Sequence, residues 1–289
     1  MAVQAVGQHQ DPSRKSSQAS RRRSRSLGGQ RGQESNRWGI HLARVVVLVC
    51  VLCAWEAAAR TFVDPFLISM PSRVLKRFVE LTVNGELLEQ AFATLQATVF
   101  GLGLGTVVGI PLGLILARFS FLGRVFEPFI LGLYSLPRIA LGPLFIIWFG
   151  IGMLSKVMMA FSLVVFVILL NTYDGAKNVD KNQIELLRTM NASQFEITRR
   201  VVFPSVLPWI MSAIRISVGM ALIGAVVGEL IGSNSGLGHY VSKSAGVFDT
   251  TGVFTGLLAL MLIAVALNEG VRVIDRRIFV WRPKVELAA

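Results

Sequence analysis

Long apolar stretches alternate with short polar ones along most of this chain. A helix needs about 20 mostly apolar residues to cross a bilayer, and six stretches meet that requirement. They run from Ile40 to Ala59, Ala91 to Ala117, Phe126 to Phe149, Lys156 to Tyr173, Pro208 to Ile231 and Gly252 to Ile274. The pattern therefore predicts an all-α, polytopic membrane protein with about six transmembrane helices.

The polar stretches divide the chain into three parts. Residues 1–37 are rich in Ser, Gln, Arg and Gly, and such a composition predicts a disordered basic tail. Residues 38–90 hold the first transmembrane helix and an external loop, in which the stretch after Pro71 is expected to form a short amphipathic helix near the membrane surface. Residues 91–282 form the core of the membrane domain.

Charge is scarce and unevenly distributed. The 289 residues are 53% hydrophobic and 16% charged, whereas soluble domains carry about 25% charged residues. If the amino terminus is cytoplasmic, 21 Lys and Arg lie on the cytoplasmic side and six on the outer side. The positive-inside rule then places both termini in the cytoplasm. The net charge of +12 is accounted for by this asymmetry, so we expect no nucleic-acid partner.

The longest polar interruption in the second half is residues 177–208, which we call the 177–208 loop. Residues 183–190 have helical character, and the apolar side chains of Ile184, Leu187 and Met190 fall on one face. Asn191 follows where this helix should stop, and asparagine tolerates the left-handed conformation of a helix cap. The loop therefore begins with a short helix that leaves Leu186, Leu187 and Met190 facing a partner.

A second helix is predicted directly after Asn191. Ser193 stands three residues before Glu196, which is the spacing of a capping box. We expect this helix to run to about Phe203 and to end at Pro204. The 177–208 loop is thus predicted as two helices joined by a bend, on the cytoplasmic side.

Glycines recur at four-residue spacing in two of the apolar stretches. One set is Gly101, Gly105, Gly109 and Gly113, and the other is Gly224, Gly228 and Gly232. On a helix such a spacing makes a smooth stripe that another backbone can approach closely. Both stretches are therefore expected to be tightly packed, mobile helices.

The third apolar stretch contains Pro137 and Pro143 with Arg138 beside the first of them. Prolines free backbone carbonyls, which is tolerated where a helix is packed in protein or lines a cavity. Arg138, Arg215, Glu229 and Glu269 lie in or near spans, where an unpaired charge is costly. Each either faces an aqueous path for an anion, pairs internally or lies at an interface, and Arg138 is the best candidate for meeting a solute.

Candidate chemistry of other kinds is sparse. Cys50 and Cys53 lie at C-x-x-C spacing inside an apolar run, where two buried small residues are expected rather than a redox or metal site. The three histidines are scattered, so no metal site is expected. The sequence contains no Gly-x-x-x-x-Gly-Lys-Ser/Thr run, and hydrolysis of ATP by that route is therefore not expected of this chain.

The 177–208 loop resembles the cytoplasmic signature loop of importer-type ABC transporter permeases. Glu185 matches the Glu of the family's Glu-Ala-Ala, and Val202, Leu207 and Pro208 match its closing run. Leu186 and Leu187 replace the two alanines, and Asn191 replaces the family's glycine. The run from Tyr134 to Gly152 is similar to the permeases of the nitrate, sulfonate, taurine and bicarbonate importer group, as are Asn171, Thr172 and Gly175.

This resemblance implies a type I ABC importer permease fold and a non-catalytic subunit for a small, anionic solute. It implies two permease copies and two separate ABC ATPase subunits that use ATP and Mg²⁺, while this chain binds no cofactor itself. An external or lipid-anchored binding protein delivers the solute. The ATPases would dock on Glu185, Leu186, Leu187, Met190, Asn191 and Ala192, and Arg138, Pro137 and Pro143 would line the pathway.

Two other classes of protein stay open at this point. A self-sufficient secondary transporter or channel has the same apolar pattern and needs no ATPase. A membrane enzyme is a third class, which a clustered set of catalytic side chains would indicate. A neighbouring gene that encodes the Gly-x-x-x-x-Gly-Lys-Ser/Thr run, and another that encodes a secreted binding protein, would distinguish the ABC importer from the secondary transporter.

Overall fold

The structure is a computed structural model and describes residues 39–40, 42–61 and 67–278. All regular secondary structure in these residues is helical, as predicted. The chain divides into two compact units, residues 1–63 and residues 64–289. The predicted basic tail, residues 1–37, lies outside the described residues.

We number the helices along the chain. They are α1 Leu42–Thr61, α2 Pro71–Val83, α3 Glu86–Arg118, α4 Ser120–Ser135, α5 Gly142–Phe149, α6 Met153–Lys177, α7 Lys181–Thr189, α8 Gln194–Ile197, α9 Phe203–Ile231, α10 Leu237–Gly246 and α11 Thr250–Ile278. A 3₁₀ turn, Arg138–Leu141, precedes α5, and a π turn, Thr198–Val202, joins α8 to α9. Five of the described helices are long and apolar enough to cross a membrane, or six if the bent pair α4 and α5 forms one span.

Helix α1 is the described helix of the first unit, and it matches the first predicted span to within two residues. Most of its side chains are exposed within the structure. Cys50 and Cys53 are free and exposed, so the expectation that both are buried is wrong. The described part of this unit has no second helix against which they would pack.

Helices α3, α6 and α9 form the core of the second unit. The glycine stripe of α3 is buried and faces α6, because a Cβ atom added at Gly101 would lie 2.4 Å from Cβ of Ala160. A Cβ atom at Gly105 would lie 2.5 Å from a methyl of Val164. Gly224 of α9 approaches the Cα atom of Ala160 in the same way. The close helix contacts predicted from the two stripes are confirmed.

The remaining helices cover this core. The predicted amphipathic helix is confirmed as α2, which packs on α11 through its buried apolar side chains. Leu81 of α2 and Leu87 of α3 share an apolar cluster with Leu237 and Tyr240 of α10 and with Ala259 of α11. Helices α2, α3, α10 and α11 therefore meet in one cluster at the end of the bundle where α3 begins.

The third predicted span is sharply bent. Helices α4 and α5, with the 3₁₀ turn, meet at an angle of 79°. Leu136, which precedes Pro137, is extended with ψ 138°, as the steric restriction before proline requires. Pro143 lies in the first turn of α5, where a missing N–H breaks no helical bond.

Helix α8 continues into α9, so the prediction that Pro204 ends the second helix of the 177–208 loop is wrong. Residues Gln194–Ile231 form one helical run of 38 residues. In the π turn, the N–H of Phe203 donates to the carbonyl of Thr198, five residues back. Pro204 follows this shift in the hydrogen-bond pattern, which is where a residue without an N–H can be accommodated.

Candidate functional site

The first helix of the 177–208 loop has defined ends. Asp180 caps the start of α7 by accepting a hydrogen bond from the N–H of Asn182 at 2.9 Å. Asn191 has φ +55°, which confirms its prediction as a left-handed cap. The N–H of Ala192 donates to the carbonyl of Leu187 and that of Asn191 to the carbonyl of Arg188, both at 3.0 Å. These two bonds form a Schellman motif.

The second helix begins with the predicted capping box. The N–H of Glu196 donates to Oγ of Ser193 at 3.3 Å, and the N–H of Ser193 donates to Oε2 of Glu196 at 2.9 Å. A capping box satisfies two otherwise free donors at a helix start. The bend between α7 and α8 is therefore held by hydrogen bonds at both of its ends.

One side of the loop is attached to the bundle. Val179, Val206 and Ile210 are buried together, and Ile184 of α7 packs against them. Ile197 of α8 is 3% exposed. The loop therefore follows the bundle on this side as a folded part of it.

The other side presents apolar side chains without a partner. Leu186, Met190 and Phe195 are 63%, 69% and 72% exposed. Glu185 and Asn191 are also exposed, while Leu187 and Ala192 are half-buried. Of the predicted apolar face, Ile184 thus turns to the bundle and Met190 turns away, because the helix is short and is packed on one side only. Phe195 was not predicted as part of this surface.

A cavity of about 440 Å³ lies between the end of α3 and this loop. Its wall includes Arg118, Phe119, Arg188, Phe195 and Val202. The loop therefore lies over open space next to the end of α3, where the two are not tightly packed.

Arg138 lies at the bend between α4 and α5 and is 6% exposed. Its Nη1 atom donates to the carbonyls of Ser162 and Leu163 at 2.6 and 3.2 Å, and Nη2 donates to the carbonyl of Tyr134 at 2.9 Å. The guanidinium also lies 4.7 Å from the ring centre of Phe166. Arg138 therefore satisfies a carbonyl freed by the bend and ties the bend to α6. A role for Arg138, Pro137 or Pro143 in meeting the solute stays a prediction.

The other intramembrane charges have acidic or basic partners. Arg215 pairs with Asp275 and Glu269 with Arg272, each at 2.6 Å. Glu229 pairs with Lys156 at 3.8 Å, and both side chains are buried. Lys156 was counted with the outer polar residues in the charge distribution, so the buried pair was missed. A Lys in the first turn of one apolar helix and a Glu in the last turn of another were the available signal. Within the described residues, no group of three His, Cys, Asp or Glu side chains is placed to hold a metal ion.

Comparison with known proteins identifies the family. Residues 109–280 match the family described as binding-protein-dependent transport system inner membrane component. The chain is 32% identical to the formylaminopyrimidine transport permease protein ThiX of Halalkalibacterium halodurans over 243 residues, which are 84% of this chain and 97% of that protein. It is also 32% identical to the putative aliphatic sulfonates transport permease protein SsuC of Bacillus subtilis, over 82% of this chain and 86% of that protein.

Two further proteins extend the comparison. The taurine transport system permease protein TauC of Escherichia coli is 26% identical over 86% of this chain and 95% of that protein. Among solved structures, one of the MetNI methionine ABC transporter in inward-facing conformations has a TM-score of 0.58 at 21% identity, over 65% of this chain and 94% of that chain. This likeness supports the predicted type I importer permease fold. The chain belongs to the binding-protein-dependent transport system inner membrane components and is the permease component of an ABC importer.

Proposed function

We propose that the exposed side of the 177–208 loop is the surface on which a separate ABC ATPase docks. The observation that carries this proposal is the exposure of Leu186, Met190 and Phe195 on a loop whose two helices have firmly capped ends. Burial of each such side chain stabilises a complex by about 1.5–3 kcal/mol. Leu186 and Met190 are four residues apart at the end of α7 and are therefore neighbours on its surface, and an exposed apolar patch on a folded surface is typical of a protein–protein interface.

The same surface offers a polar contact. Glu185 is exposed and lies next to Leu186 on α7. A single exposed carboxylate contributes little by itself, but it gives direction to an apolar contact. Glu185, Leu186 and Met190 are therefore the residues we expect to carry most of the contact, with Asn191 and Ala192 fixing the bend and Leu187 half-buried beneath it.

The proposed mechanism is a shift between two packings of the bundle. ATP, bound with Mg²⁺ by the partner ATPases, closes their dimer and moves the docked loops, and the spans exchange inward-open for outward-open packing. A partner shifts this equilibrium only by its difference in affinity for the two states. Because Ile184 and Ile197 attach the loop firmly to the bundle, a movement of the docked loop also moves the spans.

The proposed assembly contains two copies of this chain, two ATPase subunits and a binding protein on the outer side. Both termini and the 177–208 loop lie in the cytoplasm, as the distribution of Lys and Arg favours. We propose a small anion of the sulfonate class as the solute, on the basis of the names of SsuC and TauC. A formylaminopyrimidine, the solute in the name of ThiX, is the second candidate. Mass spectrometry of the ligand carried by the purified binding protein distinguishes the two.

The docking proposal is tested with Glu185→Lys and Leu187→Asp in the complete complex reconstituted in proteoliposomes. We expect both variants to keep ATP hydrolysis while losing most uptake of the identified solute, because the ATPase then cycles without moving the spans. Gln183→Asp is the matched control, since it adds a negative charge at an exposed polar site of the same helix. Full uptake in both test variants would refute the docking role.

The pathway role of Arg138 has a separate test. Arg138→Gln should lower uptake while leaving assembly of the complex intact. Unchanged uptake, with the complex purified in normal yield, would end that part of the proposal.

A further inference from the structure

Two opposite charges are buried together at the end of the bundle that is predicted to face outward. Lys156 of α6 and Glu229 of α9 are each 1% exposed, and Nζ of the lysine lies 3.8 Å from Oε1 of the glutamate. Lys156 lies in the first turn of α6 and Glu229 in the last turn of α9. The pair therefore joins two core helices at the same end.

Each charge also binds residues 232–238, which comprise the turn between α9 and α10 and the first two residues of α10 and which we call the 232–238 turn. Nζ of Lys156 donates to the carbonyl of Ser235 at 2.6 Å and to its hydroxyl at 3.2 Å. The N–H of Gly238 donates to Oε2 of Glu229 at 2.8 Å. The lysine holds the middle of the turn and the glutamate holds the start of α10.

Helix α3 supplies the remaining polar partners. The N–H of Gly236 donates to Oε1 of Gln90 at 2.7 Å, and the N–H of Leu237 donates to Oγ1 of Thr94 at 2.8 Å. The Thr94 hydroxyl in turn lies 2.9 Å from Oε2 of Glu229 and donates to this carboxylate. All three consecutive N–H groups of residues 236–238 are thus bonded to side chains of α3 and α9.

The turn is shaped around the carboxylate. Gly236 has φ +106°, and a Cβ atom there would lie 2.1 Å from the Glu229 carboxyl carbon. A Cβ atom at Gly238 would lie 2.8 Å from Cβ of Glu229. Side chains at either position would displace the carboxylate, so glycine at both allows the backbone to close over it.

We infer that Lys156 and Glu229 are positioning residues that fix the 232–238 turn and the start of α10 to α3 and α6 throughout the transport cycle. This inference rests on the proposed ATP-driven cycle and names the part of the bundle that does not move in it. Removing one charge of a buried pair leaves the other uncompensated, which is strongly destabilising. Separating the two charges in an apolar environment leaves both uncompensated and is therefore unfavourable as well. Motion is therefore expected away from this turn.

The close contacts along the core support the same division. Glycines of α3 and α9 face α6 from Gly228, near the pair, to Gly113, four turns further along the bundle. Tightly interlocked helices of this kind resist sliding past one another. The 232–238 turn is attached to one end of this interlocked core, so we expect the turn and the core to stay together as one unit.

The first test is hydrogen exchange of the permease alone in lipid nanodiscs, read for the amides of residues 236–238. Lys156→Met and Glu229→Gln should each speed this exchange at least tenfold, and the double variant should exchange more slowly than either single variant because no lone buried charge remains. Arg215→Gln, which breaks an exposed ion pair of the same bundle, is the control and should leave residues 236–238 unchanged. Wild-type exchange in both single variants would overturn the inference.

Thr94→Val provides the same test if a single charge variant yields no folded permease. It removes the hydroxyl that links Leu237 to Glu229 and leaves both charges in place. We expect at least a tenfold increase in exchange at Leu237. Unchanged exchange there would count against the inference.

The second test compares the complete complex without nucleotide and trapped with ADP and vanadate. Exchange of residues 236–238 should agree within twofold between the two states. A tenfold loss of protection at residues 236–238 in either state would show that this turn opens, and the inference would fail. If instead the exposed side of the 177–208 loop shows no protection by the ATPase, the docking proposal fails, and the nanodisc experiment still decides the role of the pair.

Discussion

Two regions at opposite ends of the bundle differ in whether their side chains have partners within the chain. At one end, the buried charges of Lys156 and Glu229 and the N–H groups of residues 236–238 all have partners within the chain. At the other end, the 177–208 loop satisfies its backbone through caps but leaves Leu186, Met190 and Phe195 exposed. The buried pair finds its partners within one chain, and the exposed side chains of the loop are those that we propose a second protein covers.

This difference separates two tasks in the transporter. A surface that receives a partner needs side chains whose burial lowers the free energy of the complex. A region that keeps its geometry needs paired polar groups whose separation raises the free energy of the protein. Four substitutions test this division.

Leu186→Asp should weaken binding of the ATPase by about 100-fold or more, because it removes an apolar contact and places a carboxylate in the interface. Binding is measured by titrating the solubilised permease with the purified ATPase subunit. Gln183→Asp again serves as the control and should change the affinity by less than about threefold. Equal weakening by both substitutions would mean that charge, and not apolar contact, governs docking.

Gly101→Ala should destabilise the permease by about 1–3 kcal/mol, because the added Cβ atom would lie 2.4 Å from Cβ of Ala160 and force the helices apart. Gly103→Ala is the matched control, since a Cβ atom there has no heavy atom of another residue within 4 Å. Reversible unfolding in mixed micelles measures both. If the two variants have the same stability, the core helices are less tightly interlocked than their contacts indicate.

Asn191→Val should destabilise the bend of the 177–208 loop by about 1–2 kcal/mol. The backbone of residue 191 has φ +55°, and a β-branched residue is strained more than most others in this conformation. Asn191→Gly should be neutral or slightly stabilising. Exchange of the amides of residues 191 and 192 reports on the bend directly. An Asn191→Val variant with wild-type exchange would show that the caps do not depend on this residue.

Asp275→Asn should have the smallest effect, below about 1 kcal/mol, because Asp275 lies in the last turn of α11, beyond the predicted span, and the partner Arg215 side chain is 56% exposed; ion pairs open to solvent contribute little. The same unfolding measurement applies. A loss comparable with that of Glu229→Gln would remove the distinction between the buried pair and the exposed pair.

Local signals in the sequence predicted local structure well. Asn191 and the Ser193–Glu196 spacing identified both caps of the 177–208 loop, because helix ends depend on a few adjacent residues. The glycine spacing of α3 predicted its contact face, since a regular helix converts spacing into direction. The two prolines of the third span indicated freed carbonyls, and Arg138 satisfies one of them.

Features that depend on distant residues were missed. Lys156 and Glu229 are 73 residues apart in the chain, and their pairing follows from how α6 and α9 pack. The angle of the bent span depends likewise on contacts with α6 and α9, such as that of Gly142 with Ile231. Pro204 is a local signal for the end of a helix, but the π turn before it shifts the hydrogen-bond pattern and accommodates a residue without a backbone N–H. The exposure of Phe195 depends on which side of α8 the bundle covers.

The continuous helical run from Gln194 to Ile231 has a mechanical consequence. With a rise of about 1.5 Å per residue, its 38 residues extend about 57 Å, nearly twice the thickness of the hydrocarbon layer. Phe195 lies near one tip of this rod and Glu229 near the other. Because its contacts hold the Glu229 tip against α3 and α6, a tilt of about 5° about that tip would displace the Phe195 tip by about 5 Å. A small rotation at the held end therefore corresponds to a large movement at the end that carries the 177–208 loop.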